Sequence, residues 1–429
     1  MIVDSLKSAW KVADLRKKIL FTLLMFLVFR IGAHIPVPFI DRTKLLQLIG
    51  EGTLVQFFDA ISGGAFKSFT VFAMSIAPYI NASIIMQLLQ VVIPSLQQLA
   101  KEGDEGRKKI TQYIRYGTVV LGFIQALGLS IGLLQPTLAL PAPGYKWPVI
   151  LLISLVLTAG TAFLMWLGEM ITERGIGNGI SLIIFAGIVS RVPDGLKYIL
   201  QLVQAGEANI LSLLVLIVIA VLVIAAIVYI QEGQRRIPVQ YAKRVVGRKV
   251  YGGQSTHIPM KVNQAGVIPV IFAISILAFP QQISTWFRGS WFANFVQTWF
   301  QMNGTWQSIP YLLVYAMMII LFTYFYTGIT FNPIDVADNI KKYGGFIPGL
   351  RPGRPTAEYI SKVLSRITMA GAVFLALIAV LPSIVIGLTG FKNIYFGGTS
   401  LLIVVGVALE TMKQLESHLL MRHYQGFMK

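Results

Sequence analysis

Apolar runs alternate with short polar stretches along the whole chain. Ten of these runs approach the roughly 20 residues that a helix needs to cross the hydrocarbon core of a bilayer. Lipid offers no hydrogen-bond partner to a free backbone, so each run is predicted to be helical. We therefore expect an all-α polytopic membrane protein. The ten predicted transmembrane helices span residues 19–35, 71–93, 116–134, 148–168, 179–190, 210–230, 265–287, 311–330, 367–388 and 398–412.

Composition excludes several other classes of protein. Of the 429 residues, 55% are hydrophobic and only 13% are charged, about half the charged fraction of an ordinary globular chain. The chain has no cysteine, which removes disulfide scaffolds and thiolate catalysis, and its four histidines are scattered. No nucleotide-binding, zinc-protease or nucleophile-elbow motif is present. We expect no enzymatic activity, no metal and no cofactor.

Basic residues predict the orientation in the membrane. The net charge is +18, and 27 of the 36 lysine and arginine residues fall on one side of the predicted spans. Loops rich in Lys and Arg face the cytoplasm, so both termini are predicted to be cytoplasmic.

Ten spans divide into two halves of five, at residues 1–206 and 207–429. An odd number of spans per half requires the second half to enter the membrane inverted, as in many transport proteins. Spans two and seven both carry a proline, Pro78 and Pro269, and spans five and ten both open Gly-rich. Matching interruptions point to a pathway between the halves. The alternative is that Pro and Gly are simply common in membrane helices.

One apolar segment, at residues 57–70, is too short to span the bilayer. It contains Asp59, Lys67 and the pair Gly63 and Gly64. Such a segment should be buried in protein or line a cavity rather than face lipid. It is either a re-entrant piece inside a vestibule or an interfacial half-helix.

The predicted spans carry few ionisable groups at membrane depth, and the candidate pathway helices carry Ile, Leu and Val instead. An ion-coupled carrier usually keeps such groups there. Aliphatic side chains can seal a pore against ions by dewetting. A secondary transporter with inverted repeats remains an alternative, as does a passive scaffold.

Two loops on the predicted cytoplasmic side are strongly basic. The loop at residues 231–264 has two β-prone runs around Gly247, which predicts a projecting hairpin, and the loop at 331–366 is dense in Gly and Pro. Such loops would suit RNA or an acidic protein face; the alternative is the positive-inside bias with anionic lipid. The candidate docking residues are Arg235, Arg236, Lys243, Arg244, Arg248, Lys249, Arg351 and Arg354.

Short motifs in a fixed order give a more specific indication. The chain resembles the bacterial SecY family of protein-translocation channels over essentially its whole length. The motifs that carry the resemblance are FRIG and IPVP at 29–38, SGGA at 62–65, PYINASI at 78–84, WLGE and ERGIGNG at 166–179, YAKR at 241–244, FNP at 331–333 and YFGGTS at 395–400.

The resemblance implies an hourglass channel that opens sideways to lipid between spans two to three and seven to eight. Segment 57–70 matches the family's plug, and Gln87 and Asn263 match polar positions of the lateral gate. The implied pore ring consists of Ile76, Ile80, Ile180, Ile184, Ile271 and Ile403, and the implied plug residues are Phe57, Phe58, Ile61, Ser62, Gly63, Gly64 and Phe66.

The resemblance also implies partners and location. The two basic loops match the docking surface for the SecA motor and for the ribosome with its rRNA, which would supply the energy. SecE and SecG are the implied companion subunits, and signal peptides and nascent chains the implied substrates. The implied location is the plasma (inner) membrane of a bacterium, in contact with its lipid.

Overall fold

The computed structural model describes residues 10–41, 44, 59, 62–132, 138, 144–206, 210–241, 244–246, 249–251, 255–287, 289–300, 309–389 and 398–426. Helices dominate these ranges. In chain order they are α1 (Ala13–Gly32), α2 (Ala77–Val92), α3 (Pro94–Lys101), α4 (Asp104–Gly132), α5 (Lys146–Arg174), α6 (Gly179–Ser190), α7 (Val192–Gln204), α8 (Ile210–Glu232), α9 (Ile268–Trp286), α10 (Trp291–Trp299), α11 (Ile309–Thr330), α12 (Pro333–Lys342), α13 (Arg354–Thr389) and α14 (Gly398–Gly426). The strands are β1 (Gln234–Tyr241), β2 (Arg244–Val246), β3 (Lys249–Tyr251), β4 (Ser255–Lys261) and β5 (Gly345–Phe346).

Each of the ten predicted spans coincides with a helix. Among the described residues, six helices are long and apolar enough to cross a membrane, or seven if the bent pair α2 and α3 counts as one span. The axes of this pair differ by 102°, so α3 turns away sharply behind Pro94. Helix α1 has a basic start at Arg16, Lys17 and Lys18, and the apolar part of α9 is shorter than a full span. The chain is a multi-pass α-helical membrane protein.

The two prolines of spans two and seven do not interrupt helices, which corrects the sequence interpretation. Pro78 and Pro269 both lie in the first turn of their helices, α2 and α9. A first-turn proline is tolerated because its missing N–H would have no partner inside the helix. The predicted spans therefore begin several residues too early, at positions where the chain is still in turns.

The helices enclose one large apolar core that draws on both predicted halves. Its buried members come from α1, α2, α5 and α6 of the first half and from α8, α9, α11, α13 and α14 of the second. Helix α9 packs against α2 and α4, and α14 packs against α6. The two predicted halves therefore contact each other in two places, one at α9 and one at α14.

The two basic loops form one folded unit, which no local sequence pattern predicts. Strands β1 and β4 pair antiparallel, and β5 from the second loop adds to β1 with Gln240 opposite Phe346. The hairpin predicted around Gly247 is confirmed by the antiparallel pairing of β2 with β3, between β1 and β4 in the sequence. Beneath the sheet lies a small apolar cluster that includes Ile237, Met260 and Ile360. The loops are therefore fixed relative to each other.

Candidate functional site

The six isoleucines predicted to form the pore ring lie in or against the large apolar core. Five of them (Ile76, Ile80, Ile184, Ile271 and Ile403) are between 0 and 9% exposed and belong to the same cluster. The sixth, Ile180, is half-buried and packs against that cluster. These six side chains, called the aliphatic centre below, come from positions up to 327 residues apart and share one apolar core to which both predicted halves contribute.

The local sequence explains how four helices bring these side chains together. Ile76 and Ile80 lie at the start of α2, and Ile271 lies at the start of α9, each just beside a first-turn proline. Asn178 caps α6, its Oδ1 accepting hydrogen bonds from Ile180 N at 3.1 Å and Ser181 N at 3.3 Å. A cap of this kind fixes where the helix begins. It thereby fixes the face on which residues 180 and 184, one turn apart, both lie.

Most of the plug segment, residues 57–70, is buried where the structure describes it; Gly64 and Lys67 are half-buried and Ser68 is exposed. Residues 62–69 run through turns rather than through a half-helix, and Ala65, Phe66 and Phe69 are buried. Phe69 O accepts a hydrogen bond from Val37 N at 3.1 Å, next to a β-bridge between Pro36 and Thr70. The segment is therefore enclosed by protein. Phe57, Phe58 and Ile61 lie outside the described residues.

A charged group is buried with the plug segment. The Asp59 side chain is 0% exposed, and its Oδ2 pairs with Nη2 of Arg191, just beyond the end of α6. From the other side, Arg30 of α1 donates from Nη1 to Gly63 O at 2.7 Å and to Ser190 Oγ at 3.2 Å. The sequence analysis gives no role to Arg30, Ser190 or Arg191. For Arg30, the signal that could have marked it is a charge inside an apolar run.

The two residues predicted to belong to a lateral gate form hydrogen bonds within their own segments. Gln87 is half-buried on α2 and donates to Ser83 Oγ at 3.3 Å. Asn263 is buried before α9, and its Nδ2 donates to Gly266 O at 3.0 Å. Because α9 packs on α2 and α4, the seam between the halves is closed here.

The docking candidates fall into two groups. Arg235 and Arg236 on β1 are exposed, and so are Arg351 and Arg354 at the turn before α13, where Arg354 Nε lies 3.0 Å from Glu358 Oε1. Arg244 and Lys249 lie on the small hairpin of β2 and β3. Lys243 and Arg248 lie outside the described residues. The pairing of β1 with β5 joins the two basic loops in one folded unit.

No metal centre is found in the part of the chain that the structure describes. No group of three or more His, Cys, Asp or Glu side chains there could hold a metal ion.

Two halves of membrane helices around an aliphatic centre, with a buried segment packed beside it, define a channel protein of the α-helical class. A family model described as SecY matches residues 70–412. The protein translocase subunit SecY of Halalkalibacterium halodurans is 50% identical over 434 residues, covering 99% of each chain. The chain belongs to the SecY family.

Solved structures with low sequence identity share the fold. A SecY protein whose plug domain stabilises the closed state of the translocation channel and maintains a membrane seal is 20% identical, with a TM-score of 0.64 over 94% of this chain and 92% of that one. Sec61 in the canine ribosome–channel complex from the endoplasmic reticulum is 19% identical, with a TM-score of 0.62 and the same coverage. This agreement supports the all-α channel architecture predicted from the sequence.

Proposed function

We propose that this chain is the protein-conducting subunit of a bacterial plasma-membrane translocase. It conducts unfolded secretory polypeptides across the membrane and releases apolar segments sideways into lipid. The observation that carries the proposal is the single aliphatic centre to which four helices from both halves contribute isoleucines. The membership of the SecY family, whose curated relative is named a protein translocase subunit, supports it.

An isoleucine ring suits a substrate of unspecified sequence. A polypeptide presents every kind of side chain, so a pore that binds any one of them tightly would stall. Aliphatic walls are deformable and form no hydrogen bonds with the passing chain. In the idle state the same walls exclude water and therefore ions. The role of Ile76, Ile80, Ile180, Ile184, Ile271 and Ile403 as pore ring rests on this reasoning, on their shared cluster and on the family resemblance.

The lateral exit follows the seam where α9 packs against α2 and α4. Parting these helices would expose an apolar nascent helix to lipid. Gln87 lies on α2 in the first half and Asn263 lies just before α9 in the second, and their present hydrogen bonds are local. Neither of these two hydrogen bonds ties the halves together, so opening would not break them.

The exposed basic side chains of the two loops form the docking surface in this proposal, and they also indicate how the chain is oriented in the membrane. With that surface facing the cytoplasm, both termini are cytoplasmic, in accord with the bias of Lys and Arg toward that side. The SecA motor and the ribosome dock there and supply the driving force, while SecE and SecG complete the complex. The fold shared with a ribosome-bound channel is consistent with this assignment. The subunit itself is not an enzyme.

Glycine at three ring positions tests the function. Replacing Ile80, Ile184 and Ile271 together with Gly removes the apolar barrier that excludes water. We expect the ion conductance of the reconstituted channel in a planar bilayer to rise at least about tenfold, with insertion of membrane proteins retained.

A matched triple variant controls for general loosening of the core. Ile110, Ile150 and Ile153 are equally buried on α4 and α5, outside the ring. Their replacement with Gly should leave conductance near the parent value in the protein that still assembles. Equal conductance in the parent and the ring variant would refute the ring.

A further inference from the structure

The buried carboxylate of Asp59 requires an explanation beyond folding of the plug segment. An ionised group without solvent contact is costly unless it is paired and hydrogen-bonded. Asp59 has both kinds of partner: the Arg191 guanidinium, and the backbone N–H of Lys67, which donates to Oδ1 at 2.8 Å. The Arg191 side chain is itself only 17% exposed. The pair thus joins the plug segment to a position 132 residues away.

A second cation holds the same segment from the other side. Arg30 extends from the last turn of α1 and bridges Gly63 O and Ser190 Oγ. The two glycines make this approach possible. Gly63 and Gly64 have φ of 66° and 91°, a conformation that favours glycine. A Cβ on Gly63 would lie 3.0 Å from Ser190 Oγ, and one on Gly64 would lie 3.2 Å from the Arg191 guanidinium.

One short helix carries both the ring and the residues that grip the plug segment. Ile180 and Ile184 lie in the first half of α6, and Ser190 is its last residue, with Arg191 next. At 1.5 Å per residue, the six steps from Ile184 to Ser190 span about 9 Å. A 12-residue helix moves as one body over that distance. Displacement of α6 at the ring would therefore also displace the partners of Asp59 and Gly63.

We propose that Asp59, Arg30 and Arg191 form a polar latch that holds the plug segment on α6, and that a polypeptide which displaces α6 in the ring releases the latch. This inference rests on the proposed channel function and deepens it. The latch keeps the idle channel closed, and passage of substrate opens it from the ring side. In the released state Asp59 and Arg191 exchange their mutual contact for water, and Arg30 exchanges its contacts with Gly63 O and Ser190 Oγ.

Labelling of a buried cysteine measures release of the latch. The chain has no cysteine of its own, and Ala65 in the plug segment is 0% exposed, so Ala65→Cys gives a single reporter. In membranes that contain the full-length chain with its partner subunits, a water-soluble maleimide should label the A65C protein slowly. Adding Asp59→Asn should raise the rate at least about tenfold, because the Arg191 charge loses its buried partner. Asparagine still offers Oδ1 to Lys67 N–H, so the local turn is kept.

A matched variant separates the latch from a general loss of charge. Asp194 Oδ2 also contacts Arg191, at 3.1 Å, but the Asp194 side chain is 51% exposed and lies on α7. We expect Asp194→Asn to change the labelling rate less than about twofold, because exposed ion pairs contribute little. Equal labelling rates in the A65C protein with and without Asp59→Asn would overturn the latch.

A double-variant cycle tests whether Asp59 and Arg191 act as a pair. Arg191→Gln and Asp59→Asn should each speed labelling, and combining them should add little, since either change alone already breaks the Asp59–Arg191 pair. Fully additive effects would refute direct coupling. Failure of the latch is distinct from failure of the channel function: reconstituted parent protein that exports no polypeptide would contradict the channel, whatever the labelling rates.

Discussion

At the scale of single residues, two unusual backbone conformations begin the two central helices. Ser75 has φ of 51° and lies three residues before Pro78, while Gly266 has φ of 63° and lies three residues before Pro269. In both places one residue has the left-handed backbone conformation, and a helix with proline in its first turn begins directly afterwards. The same local geometry thus introduces α2 in one half and α9 in the other, although the side chains differ.

This comparison predicts opposite effects of two substitutions. Ser75→Gly should raise the free energy of unfolding by about 1 kcal/mol, because glycine relieves the left-handed strain. It also removes a hydroxyl that is buried without a hydrogen-bond partner among the described residues. Gly266→Ala should lower the free energy of unfolding by about 1 kcal/mol. A Cβ there meets no atom within 4 Å, so the only cost is the backbone strain of alanine at positive φ. Thermal unfolding in detergent measures both, and shifts in the same direction would contradict the argument.

At the scale of elements, glycine sets how closely α5 and α6 approach. A Cβ on Gly179 would lie 1.8 Å from Gly168 O, and a Cβ on Gly168 would lie 2.5 Å from Ile180 Cδ1. Small residues allow membrane helices to pack backbone against backbone. Helix α6 carries two ring residues and contacts α14 of the other half. The position of the ring therefore depends on a contact that only glycine allows.

Alanine at Gly179 should consequently destabilise the protein by about 2 to 3 kcal/mol, because the backbone at Gly168 cannot yield as a flexible side chain would. Gly328→Ala is the matched control. Gly328 lies inside α11 with open space around its Cβ, and alanine there should be neutral or stabilising by up to about 1 kcal/mol. Unfolding midpoints of the two purified variants decide the matter; equal midpoints would show that the α5–α6 contact is not tight.

At the scale of the whole molecule, the exposed basic side chains of the two loops and the large apolar core belong to different parts of the fold. The core cluster that contains the ring is aliphatic and aromatic, while the exposed arginines of the two basic loops lie on one sheet-based unit. Arg351 occupies a turn between Gly349 and Gly353, whose φ values are 84° and 103°. Arg351 O accepts a hydrogen bond from Thr356 Oγ1 at 2.8 Å, which fixes this turn to α13. The side chain is therefore presented from a rigid support.

Reversal of that charge tests the docking surface. We expect Arg351→Glu to abolish export driven by SecA or by the ribosome, with the channel still assembled, because a carboxylate repels an anionic partner surface. Lys108→Glu changes the same charge at an exposed position on α4, in another basic stretch, and should retain most export. Translocation of a secretory protein into membrane vesicles gives the measurement. Normal export by the Arg351→Glu variant would refute the docking role of Arg351.

Hydropathy predicted the existence of the spanning helices better than their ends. The ninth predicted span begins at residue 367, whereas α13 begins at Arg354, and the tenth ends at 412, whereas α14 continues to Gly426. Lipid exposure sets the hydropathy signal, but a helix continues into water as long as its residues favour it. The short helices α3, α7, α10 and α12 escaped prediction for a related reason, since each is only 8 to 13 residues long.

The candidate site was predictable only through the resemblance. Composition alone could not distinguish Ile184 from the many isoleucines that face lipid or pack between helices. The contacts of Asp59 with Arg191 and of Gln240 with Phe346 join residues 132 and 106 positions apart, and no local pattern encodes such pairing. The Gly63–Gly64 pair was visible in the sequence, but its reason, the close approach of two arginines, requires the three-dimensional structure.

The pairing of β1 with β5 has a mechanical consequence. Along the chain the sheet is connected to α8 before β1, to α9 after β4, and to α12 and α13 on either side of β5, and all four helices belong to the second predicted half. Of these four, α9 is also the helix that packs against α2 and α4 of the first half. We therefore expect a force that a partner applies to the sheet to reach the contact between α9 and the first half through a connection of only six residues.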